Sequence, residues 1–296
     1  MISIVIPTYN YSIYNLVAKI HAQASVLNTP FEIIVCEDAS QKFTDENKKI
    51  KKFNNTQYFK LAENIGRTAL RASLANKAAY DWLLFLDADV LPKNRDFIKK
   101  NIETIQKTDS EVIFGGICYE EMKPETSKML RWKYGNEREA KSVSEREKDP
   151  YFIISQNLLI KKDIFIAANM LKENYYGLDN FFSNQLKRMK IRVTHIENPV
   201  IHFGLENNNT FLKKAMAAVE TTVILEKKGL IDADLRPLQK SYLKLKKKKL
   251  ANSFSFIISK LKTMMERNFN SENPNLFWFD LYRLQYYIQL KKKYNA

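Results

Sequence analysis

The first half of the chain alternates short apolar runs with longer amphipathic stretches, and this rhythm limits the possible folds more than any other feature of the sequence. Residues 2–6 form an apolar run before the amphipathic stretch 11–27, and residues 31–36 precede the stretch 44–53 in the same way. A short apolar run fits a strand that is buried on both faces, and the stretch after it fits a helix. Repeated strand–helix units predict an α/β fold with a mostly parallel, Rossmann-like sheet flanked by helices.

Acidic or turn-forming residues come directly after three of these apolar runs. The carboxyl ends of parallel strands meet at one edge of a sheet, and open α/β sheets bind their ligands at that edge. We therefore expect a binding site there. Its candidate residues are Thr8, Tyr9 and Asn10 after the first run, Glu37 and Asp38 after the second, and Asp87 and Asp89 after residues 82–86.

Asp87 and Asp89 are separated by one residue at the end of an apolar, strand-like run. Two carboxylates this close can bracket a divalent cation, because hard oxygen ligands suit Mg²⁺ or Mn²⁺. Such an ion could bridge a diphosphate and offset the charge that builds on a leaving group. The alternative is a pair of solvated acids in a turn after the strand, and the short Asp-x-Asp motif taken alone favours that alternative.

The second half of the chain is less regular. Residues 120–150 are charged and contain proline, which indicates a long loop or a short helical insertion over the site. The pattern after them predicts strands within 151–160 and 191–202, helices near 163–171 and 179–189, and helices from residue 208 to the end. We predict two domains, a catalytic α/β domain over residues 1–205 and a helical, basic C-terminal extension over residues 206–296.

The formal charge of the chain is +15, from 48 lysines and arginines against 33 acidic residues. Residues 241–296 are the most basic part, with 12 lysines and arginines and three acidic residues. This segment is also rich in aromatic residues, which predicts peripheral contact with an anionic membrane. The alternative is a solvated lysine face on helices that pack against the rest of the protein.

Hydropathy and cysteine content predict where the protein works. No apolar run approaches the roughly 18 residues that a membrane-spanning helix needs. The start of the chain resembles a first strand and not a signal peptide. Cys36 and Cys118 lie in strand-like apolar runs, so buried free thiols are expected. We expect a cytoplasmic protein that can attach peripherally to the inner face of the plasma membrane.

Four motifs follow one another near the start of the chain: SIVIPTYN at 3–10, EIIVCEDAS at 32–40, NIGR at 64–67 and FLDAD at 85–89. In this order and spacing they resemble the family 2 glycosyltransferases of GT-A fold, over about residues 1–205. The resemblance implies an inverting transferase of bacterial polysaccharide or lipid-glycan biosynthesis at the cell envelope. Its donor would be a nucleoside diphosphate sugar, most of all a UDP sugar, its acceptor a glycan or lipid-linked glycan, and its cofactor Mn²⁺ or Mg²⁺.

The same resemblance assigns residues to the nucleotide. The residues after the first strand would line the nucleoside pocket, a carboxylate after the second would bind the edge of a uracil-type base, and the later motifs would approach the diphosphate. Where the family usually has two aspartates, this chain has Glu37 before the second one. The nucleotide-binding residues implied are Pro7, Thr8, Tyr9, Asp38, Asn64, Gly66, Arg67 and Asp87.

Asp179 resembles the catalytic aspartate of the family's Gly-x-Glu-Asp segment, which removes the proton from the acceptor hydroxyl. Leu178 stands where the family has glutamate, a departure that bears on acceptor recognition. Asp179 could also cap the helix that follows it, which is worth about 1 kcal/mol, and both roles can hold at once.

By the same resemblance, Asp89 and His202 would hold the metal. Imidazole is an acceptable ligand for Mn²⁺. His195 lies in a similar apolar setting but matches no motif, and a lone histidine is more often structural.

Three other functions stay open at this point. A nucleotidyltransferase shares the sheet and the metal chemistry, but it needs a glycine-rich loop directly after the first strand, and residues 7–10 contain no glycine. A GT-A scaffold that binds nucleotide without turnover has the same motifs. A nucleic-acid-binding protein would account for the positive charge, but the carboxylates gathered at the sheet edge argue against nucleic acid as a partner.

Overall fold

The computed structural model describes residues 1–171 and 175–295 of the 296-residue chain. The described residues form two compact units. The first consists of the described parts of Met1–Glu120, Glu139–Asn174 and Gln185–Gly204, and the second of the described parts of Glu121–Arg138, Tyr175–Asn184 and Leu205–Ala296. The division into domains at residue 205 stays a prediction.

The first unit is built on a seven-stranded sheet with the strand order β3-β2-β1-β4-β8-β6-β9. The strands pair in parallel except at β8, which runs antiparallel to β4 and β6. The predicted α/β class, with a mostly parallel sheet between helices, is confirmed. The strands are β1 Ile2–Thr8, β2 Phe31–Glu37, β3 Thr56–Lys60, β4 Trp82–Leu86, β6 Val112–Phe114, β8 Asn157–Lys161 and β9 Val193–His195.

Burial explains why the central strands are mainly apolar. Every residue of β1 and of β2 is buried, as is every residue of β4 except Trp82. A strand covered on both faces has no solvent side and therefore no polar alternation. The register pairs Thr8 at the end of β1 with Glu37 at the end of β2, so the residues after both strands come out at one edge.

A second, three-stranded sheet has the order β5-β10-β7, formed by Val90–Pro92, Val200–His202 and Ile117–Cys118. Within it, His202 of β10 pairs with Val90 of β5, which directly follows Asp89. This small sheet thus joins the segment after β4 to a segment more than a hundred residues later in the chain. The stretch predicted as one strand over residues 191–202 is in fact two strands, β9 and β10, in different sheets.

Helices flank the sheet of the first unit. They are α1 Tyr14–Ser25, α2 Thr44–Lys48, α3 Arg67–Lys77, α4 Phe97–Lys107, α6 Val143–Glu147 and α7 Lys162–Ala168, with a 3-10 turn at Lys49–Lys52. The charged segment predicted as a loop or a short helical insertion contains short helices. These are a 3-10 turn at Thr126–Lys128, α5 at Met129–Tyr134, a π-helical turn at Gly135–Glu139, and α6.

The second unit is helical, in agreement with the predicted C-terminal extension. Its helices include α9 Asn208–Lys227, α10 Pro237–Lys247, α11 Ala251–Phe269 and α12 Leu276–Asn295, together with α5 and the first residues of α8 Asp179–Arg188. One core cluster joins aromatic and aliphatic side chains of α5, α9, α11 and α12, among them Phe211, Phe269 and Phe279. Among the described residues, no helix combines the length and the apolar character that crossing a bilayer requires.

Candidate nucleotide and metal site

The ends of β1 and β2 are joined by a hydrogen bond from the Asp38 amide to the Thr8 carbonyl, 2.9 Å long. The Asp38 side chain is buried and accepts hydrogen bonds from the Ile65 amide at 2.8 Å and the Gly66 amide at 2.9 Å. The Asn64 amide group also donates to the Asp38 carbonyl at 3.2 Å. Asp38 therefore anchors the loop that leads into α3.

Gly66 has a φ of 82°, in the region that favours glycine, so the NIGR motif needs glycine at this turn. The carboxylate of Asp38 keeps further lone pairs. Its predicted role toward a base edge stays a prediction beside the loop contacts that the structure contains.

The hydroxyl of Thr8 is a polar atom that the protein leaves unsatisfied. The residue is 1% exposed, and within the described part of the chain its Oγ1 has no hydrogen-bond partner. Buried hydroxyls are nearly always paired, so an unpaired one at the ligand edge of the sheet fits a group supplied by a ligand. The neighbouring predicted residues differ in exposure: Pro7 is buried in β1, while Tyr9 is 56% exposed.

Glu37 has a structural role. It is fully buried, and its carboxylate accepts hydrogen bonds from Asn47 Nδ2 at 2.6 Å and Thr44 Oγ1 at 3.0 Å. These contacts fix α2 to the end of β2. The change from aspartate to glutamate at this position thus serves packing between the strand and the helix.

Asp87, the first carboxylate after β4, is held by two arginines of α3. Arg67 Nη2 lies 2.7 Å from its Oδ2 and Arg71 Nη2 lies 2.5 Å from its Oδ1. Both arginines also reach Ser155, Arg67 at the hydroxyl and Arg71 at the carbonyl. The Arg71 side chain is 8% exposed and that of Arg67 is 47% exposed. Part of the Arg67 side chain is therefore accessible to a ligand, while the buried Arg71 side chain fixes the Asp87 carboxylate.

Sequence reasoning missed Arg71. It lies one helical turn after Arg67, and residues four apart share a face of a helix, so the pair would have been a usable signal. Its position beside Leu70 and Leu74, on the side of α3 that packs inward, points to a buried charge with a defined partner.

Asp89 and His202 meet at the second sheet. Asp89 Oδ2 lies 3.1 Å from His202 Nε2, and the Phe203 amide donates to the Asp89 carbonyl at 2.9 Å. The imidazole is 4% exposed and the carboxylate 28%. Burial raises the pKa of the Asp89 carboxyl. The hydrogen bond and charge of His202 and the charge of Arg67 lower it by more, so this pKa lies below its ordinary value.

The other ring nitrogen of His202 is oriented by Tyr119 and Glu139. His202 Nδ1 lies 3.3 Å from the Tyr119 hydroxyl, and that hydroxyl donates a short hydrogen bond to the Glu139 carboxylate. With its proton directed to Glu139, the tyrosine oxygen is an acceptor for an N–H at Nδ1. A proton on Nδ1 would leave the Nε2 lone pair for a cation placed beside Asp89.

Gly204 packs directly against this pair. A Cβ built at Gly204 would overlap the Asp89 carboxylate and lie 2.9 Å from His202 Nε2, so only glycine leaves this side of the pair open. Within residues 1–171 and 175–295, no three His, Cys, Asp or Glu side chains converge on one point. Asp89 and His202 would therefore supply two ligands, and Mg²⁺ and Mn²⁺ commonly complete their shell with phosphate oxygens and water.

His195 has a different environment from His202. Its Nδ1 lies 3.3 Å from Arg146 Nη1, its Nε2 lies 3.0 Å from the Pro150 carbonyl, and burial lowers its pKa. Because both ring nitrogens contact other groups of the first unit, His195 serves packing, as a lone histidine usually does.

Asp179 is the first residue of α8 and belongs to the second unit, where an acid in the first turn is favourable for the helix. Its catalytic role stays a prediction.

The family model described as "Glycosyl transferase family 2" matches residues 3–171, which is more than half of the chain. The chain belongs to glycosyl transferase family 2. No curated protein matches it in sequence.

Solved structures with the same fold are distant in sequence. A mannosyltransferase from Pyrobaculum calidifontis in complex with GDP-Man and Mn²⁺ has a TM-score of 0.59 at 13% identity, over 99% of this chain and 86% of that one. S. aureus TarS 1-349 in complex with UDP-GlcNAc has a TM-score of 0.52 at 13% identity, over 99% and 91%. Glucosyl-3-phosphoglycerate synthase from Mycobacterium tuberculosis, with Mn²⁺, UDP and glucosyl-3-phosphoglycerate, has a TM-score of 0.51 at 12% identity, over 79% and 81%.

Proposed function

We propose that the chain transfers a sugar from a nucleoside diphosphate donor, with UDP as the favoured nucleotide, to a hydroxyl group of a glycan or lipid-linked acceptor. The observation that carries the proposal is the pair Asp89 and His202, 3.1 Å apart. Asp87, two residues before Asp89 in the chain, is held by two arginines. The proposal is also supported by the family and by neighbours of the same fold that are complexed with UDP or GDP sugars and Mn²⁺.

Mn²⁺ or Mg²⁺ is the cofactor in this proposal, with Asp89 and His202 as its protein ligands. Such an ion neutralises charge on the diphosphate leaving group. Arg67 binds the diphosphate, since a guanidinium forms strong, charge-assisted hydrogen bonds with phosphate oxygens. Asp87 holds Arg67 and Arg71 in place, and its contribution to nucleotide binding is through their orientation.

The nucleoside is assigned to the edge formed by β1, β2 and the loop before α3. Thr8 supplies a buried hydroxyl that lacks a partner among the described residues, which supports its assignment. Pro7, Tyr9 and Asp38 complete the nucleoside side, while Asn64 and Gly66 shape the turn that aims the start of α3 toward a phosphate.

Asp179 is the proposed general base of an inverting transfer. Its carboxylate removes the proton of the acceptor hydroxyl while the acceptor oxygen forms a bond to the anomeric carbon. The bond from that carbon to the diphosphate oxygen breaks, and the electron pair leaves with the nucleoside diphosphate. The new bond forms on the face opposite the leaving group, so no covalent enzyme intermediate is needed.

The acceptor side of the proposal concerns the cell envelope. The transferred sugar would extend a polysaccharide or a lipid-linked glycan, and the basic residues 241–296 would keep the enzyme in peripheral contact with an anionic membrane at the inner face of the plasma membrane. The net positive charge of that segment supports the contact.

The test compares wild type, Asp179→Asn and a control, Asp163→Asn, which removes a similar carboxylate from the first turn of α7. Release of UDP is measured from a panel of UDP sugars with Mn²⁺ and with glycan and lipid-linked acceptors, and binding of UDP is measured by calorimetry. Loss of a general base costs roughly 100-fold or more. We expect that loss in transfer for Asp179→Asn alone, with UDP binding unchanged in both variants.

Undiminished transfer by Asp179→Asn would remove Asp179 as the base. Nucleotide binding by the wild type without transfer from any donor would instead favour a GT-A scaffold without turnover.

A further inference from the structure

The second unit contains a cavity of about 340 Å³ between α10, α11 and α12. Three lysines line it, Lys246 and Lys249 from the end of α10 and Lys292 from α12, together with Tyr242 and Asn252. A cavity of this size is comparable to small-molecule sites in other proteins. Its polar groups are cationic or neutral donors, which suits an anionic ligand.

The three lysines carry charges that the described part of the protein does not neutralise. Among residues 1–171 and 175–295, none of their ammonium groups has an ion-pair partner, whereas the neighbouring Lys291 pairs with Glu226 at 2.9 Å. None of the described residues that line the cavity carries a carboxylate. Like charges gathered around one cavity repel each other, and a bound anion with two or more negative charges offsets that repulsion.

The start of α11 adds to the positive potential. Ala251 and Asn252 line the cavity and are the first two residues of this 19-residue helix, whose N-cap residue, Leu250, offers no side-chain cap. The amides of a first helical turn have no partner within the helix and carry partial positive charge. Phosphoryl groups bind well at such a position when cationic side chains are also present.

An exposed apolar face begins at the same end of α11. Leu250, Ile257, Leu261 and Met264 are 48, 57, 37 and 46% exposed. Their spacing places them on one side of the helix, and Lys260 and Arg267 flank them. A free phosphate would not contact this apolar face. A lipid whose headgroup enters the cavity would place its acyl chains beside the face.

We propose that the lysine-lined cavity binds the phosphoryl headgroup of an anionic membrane lipid while the apolar face of α11 enters the bilayer surface. Residues 237–269 contain nine lysines and arginines and a single acidic residue, Glu266, so the whole surface complements an anionic bilayer. The inference deepens the membrane contact in the proposed function and rests on it for its biological meaning. The binding itself needs neither sugar donor nor acceptor.

The experiment is co-sedimentation of the full chain with vesicles of phosphatidylcholine alone and of phosphatidylcholine with 30% phosphatidylglycerol, at physiological salt. One variant replaces Lys246, Lys249 and Lys292 by Gln. Its control replaces Lys49, Lys107 and Lys148, exposed lysines of the first unit, by Gln, which changes the net charge equally. A second variant, Ile257→Ser with Leu261→Ser, tests the apolar face, with Val26→Ser as its control.

We expect the wild type to bind the anionic vesicles and not the neutral ones. Each lysine near an anionic surface is worth about fivefold in affinity, so the cavity variant should lose roughly 100-fold, while its control changes little. The apolar-face variant should also bind more weakly than Val26→Ser. All replaced residues are on the surface, and far-UV circular dichroism and thermal unfolding check that the variants are folded.

Equal binding of the cavity variant and its control would overturn the proposal. So would stabilisation by inorganic phosphate without vesicle binding, binding of a polynucleotide in place of vesicles, or self-association that the Ile257→Ser, Leu261→Ser variant abolishes. Because no donor is present, failure here leaves the transferase proposal intact, and failure of transfer leaves vesicle binding interpretable.

Discussion

Tyr119→Phe removes one hydroxyl from the hydrogen-bonded series Asp89–His202–Tyr119–Glu139. Tyr119 is 7% exposed, its hydroxyl lies 3.3 Å from His202 Nδ1, and its proton is directed to Glu139. Phenylalanine keeps the ring and its edge-on contact with His202. The change therefore removes the acceptor available to an N–H at Nδ1 while it leaves the packing in place.

Loss of a group that orients a metal-binding histidine typically lowers metal affinity 10- to 100-fold. The hydrogen bond from His202 is long, so we expect the lower end of that range, about tenfold in the Mn²⁺ dissociation constant, or about 1.4 kcal/mol. The assay is titration with Mn²⁺ followed by electron paramagnetic resonance, with and without UDP. Nitrogen chemical shifts of His202 in the Mg²⁺-loaded protein provide a second measurement, because they report whether Nδ1 carries the proton.

Tyr151→Phe is the matched control. It removes a hydroxyl that donates to the Ile191 carbonyl at 3.2 Å, elsewhere in the first unit. Equal Mn²⁺ affinities of the two tyrosine variants and the wild type, with an unchanged population of the His202 ring forms, would refute the orienting role of Tyr119.

Three further substitutions test the first unit. Arg146 is 2% exposed, and its guanidinium donates to three backbone carbonyls at 2.8 to 3.1 Å. Arg146→Met should therefore lower the free energy of unfolding, measured by urea titration, by about 3–5 kcal/mol. The control, Arg192→Met at an exposed position, should lower it by less than about 1 kcal/mol. Arg71→Met should weaken UDP binding in calorimetry at least about tenfold, because Asp87 loses one of its two strong, charge-assisted bonds, and unchanged binding would contradict that link. Gly204→Ala should lower the Mn²⁺ affinity more than about tenfold in the same titration, because the added methyl group displaces the Asp89 carboxylate. An unaltered affinity would contradict Asp89 as a metal ligand.

The sheet was predictable because its buried strands are recognisable by their apolar composition. β1, β2 and β4 are mainly apolar runs, and an apolar run followed by an acid marks the carboxyl edge without reference to tertiary contacts. The antiparallel direction of β8 was not predictable, because Asn157–Lys161 is a short, mainly apolar run like the parallel strands of the sheet, and periodicity carries no strand direction.

The site was predictable only where its residues follow strands or lie in motifs. Tyr119 and Glu139 are 83 and 63 residues before His202, in segments without a pattern of their own. Tyr119 reaches the histidine because it follows β7, which pairs with β10, and Glu139 reaches Tyr119 from the π-helical turn. His195 and His202 illustrate the same limit. Both follow β-branched residues, yet one contacts a buried arginine and the other a carboxylate, and this difference arises from tertiary structure alone.

The central claim is that a divalent cation held by Asp89 and His202 mediates nucleotide binding. The most direct measurement is calorimetric titration of UDP into the wild type and into Asp89→Asn, each with and without Mn²⁺. We predict that Mn²⁺ strengthens UDP binding to the wild type at least about tenfold and that Asp89→Asn abolishes this dependence, because a neutral amide is a poor ligand for a hard cation. UDP affinity independent of Mn²⁺ in the wild type, or an equal Mn²⁺ effect in both proteins, would contradict the claim.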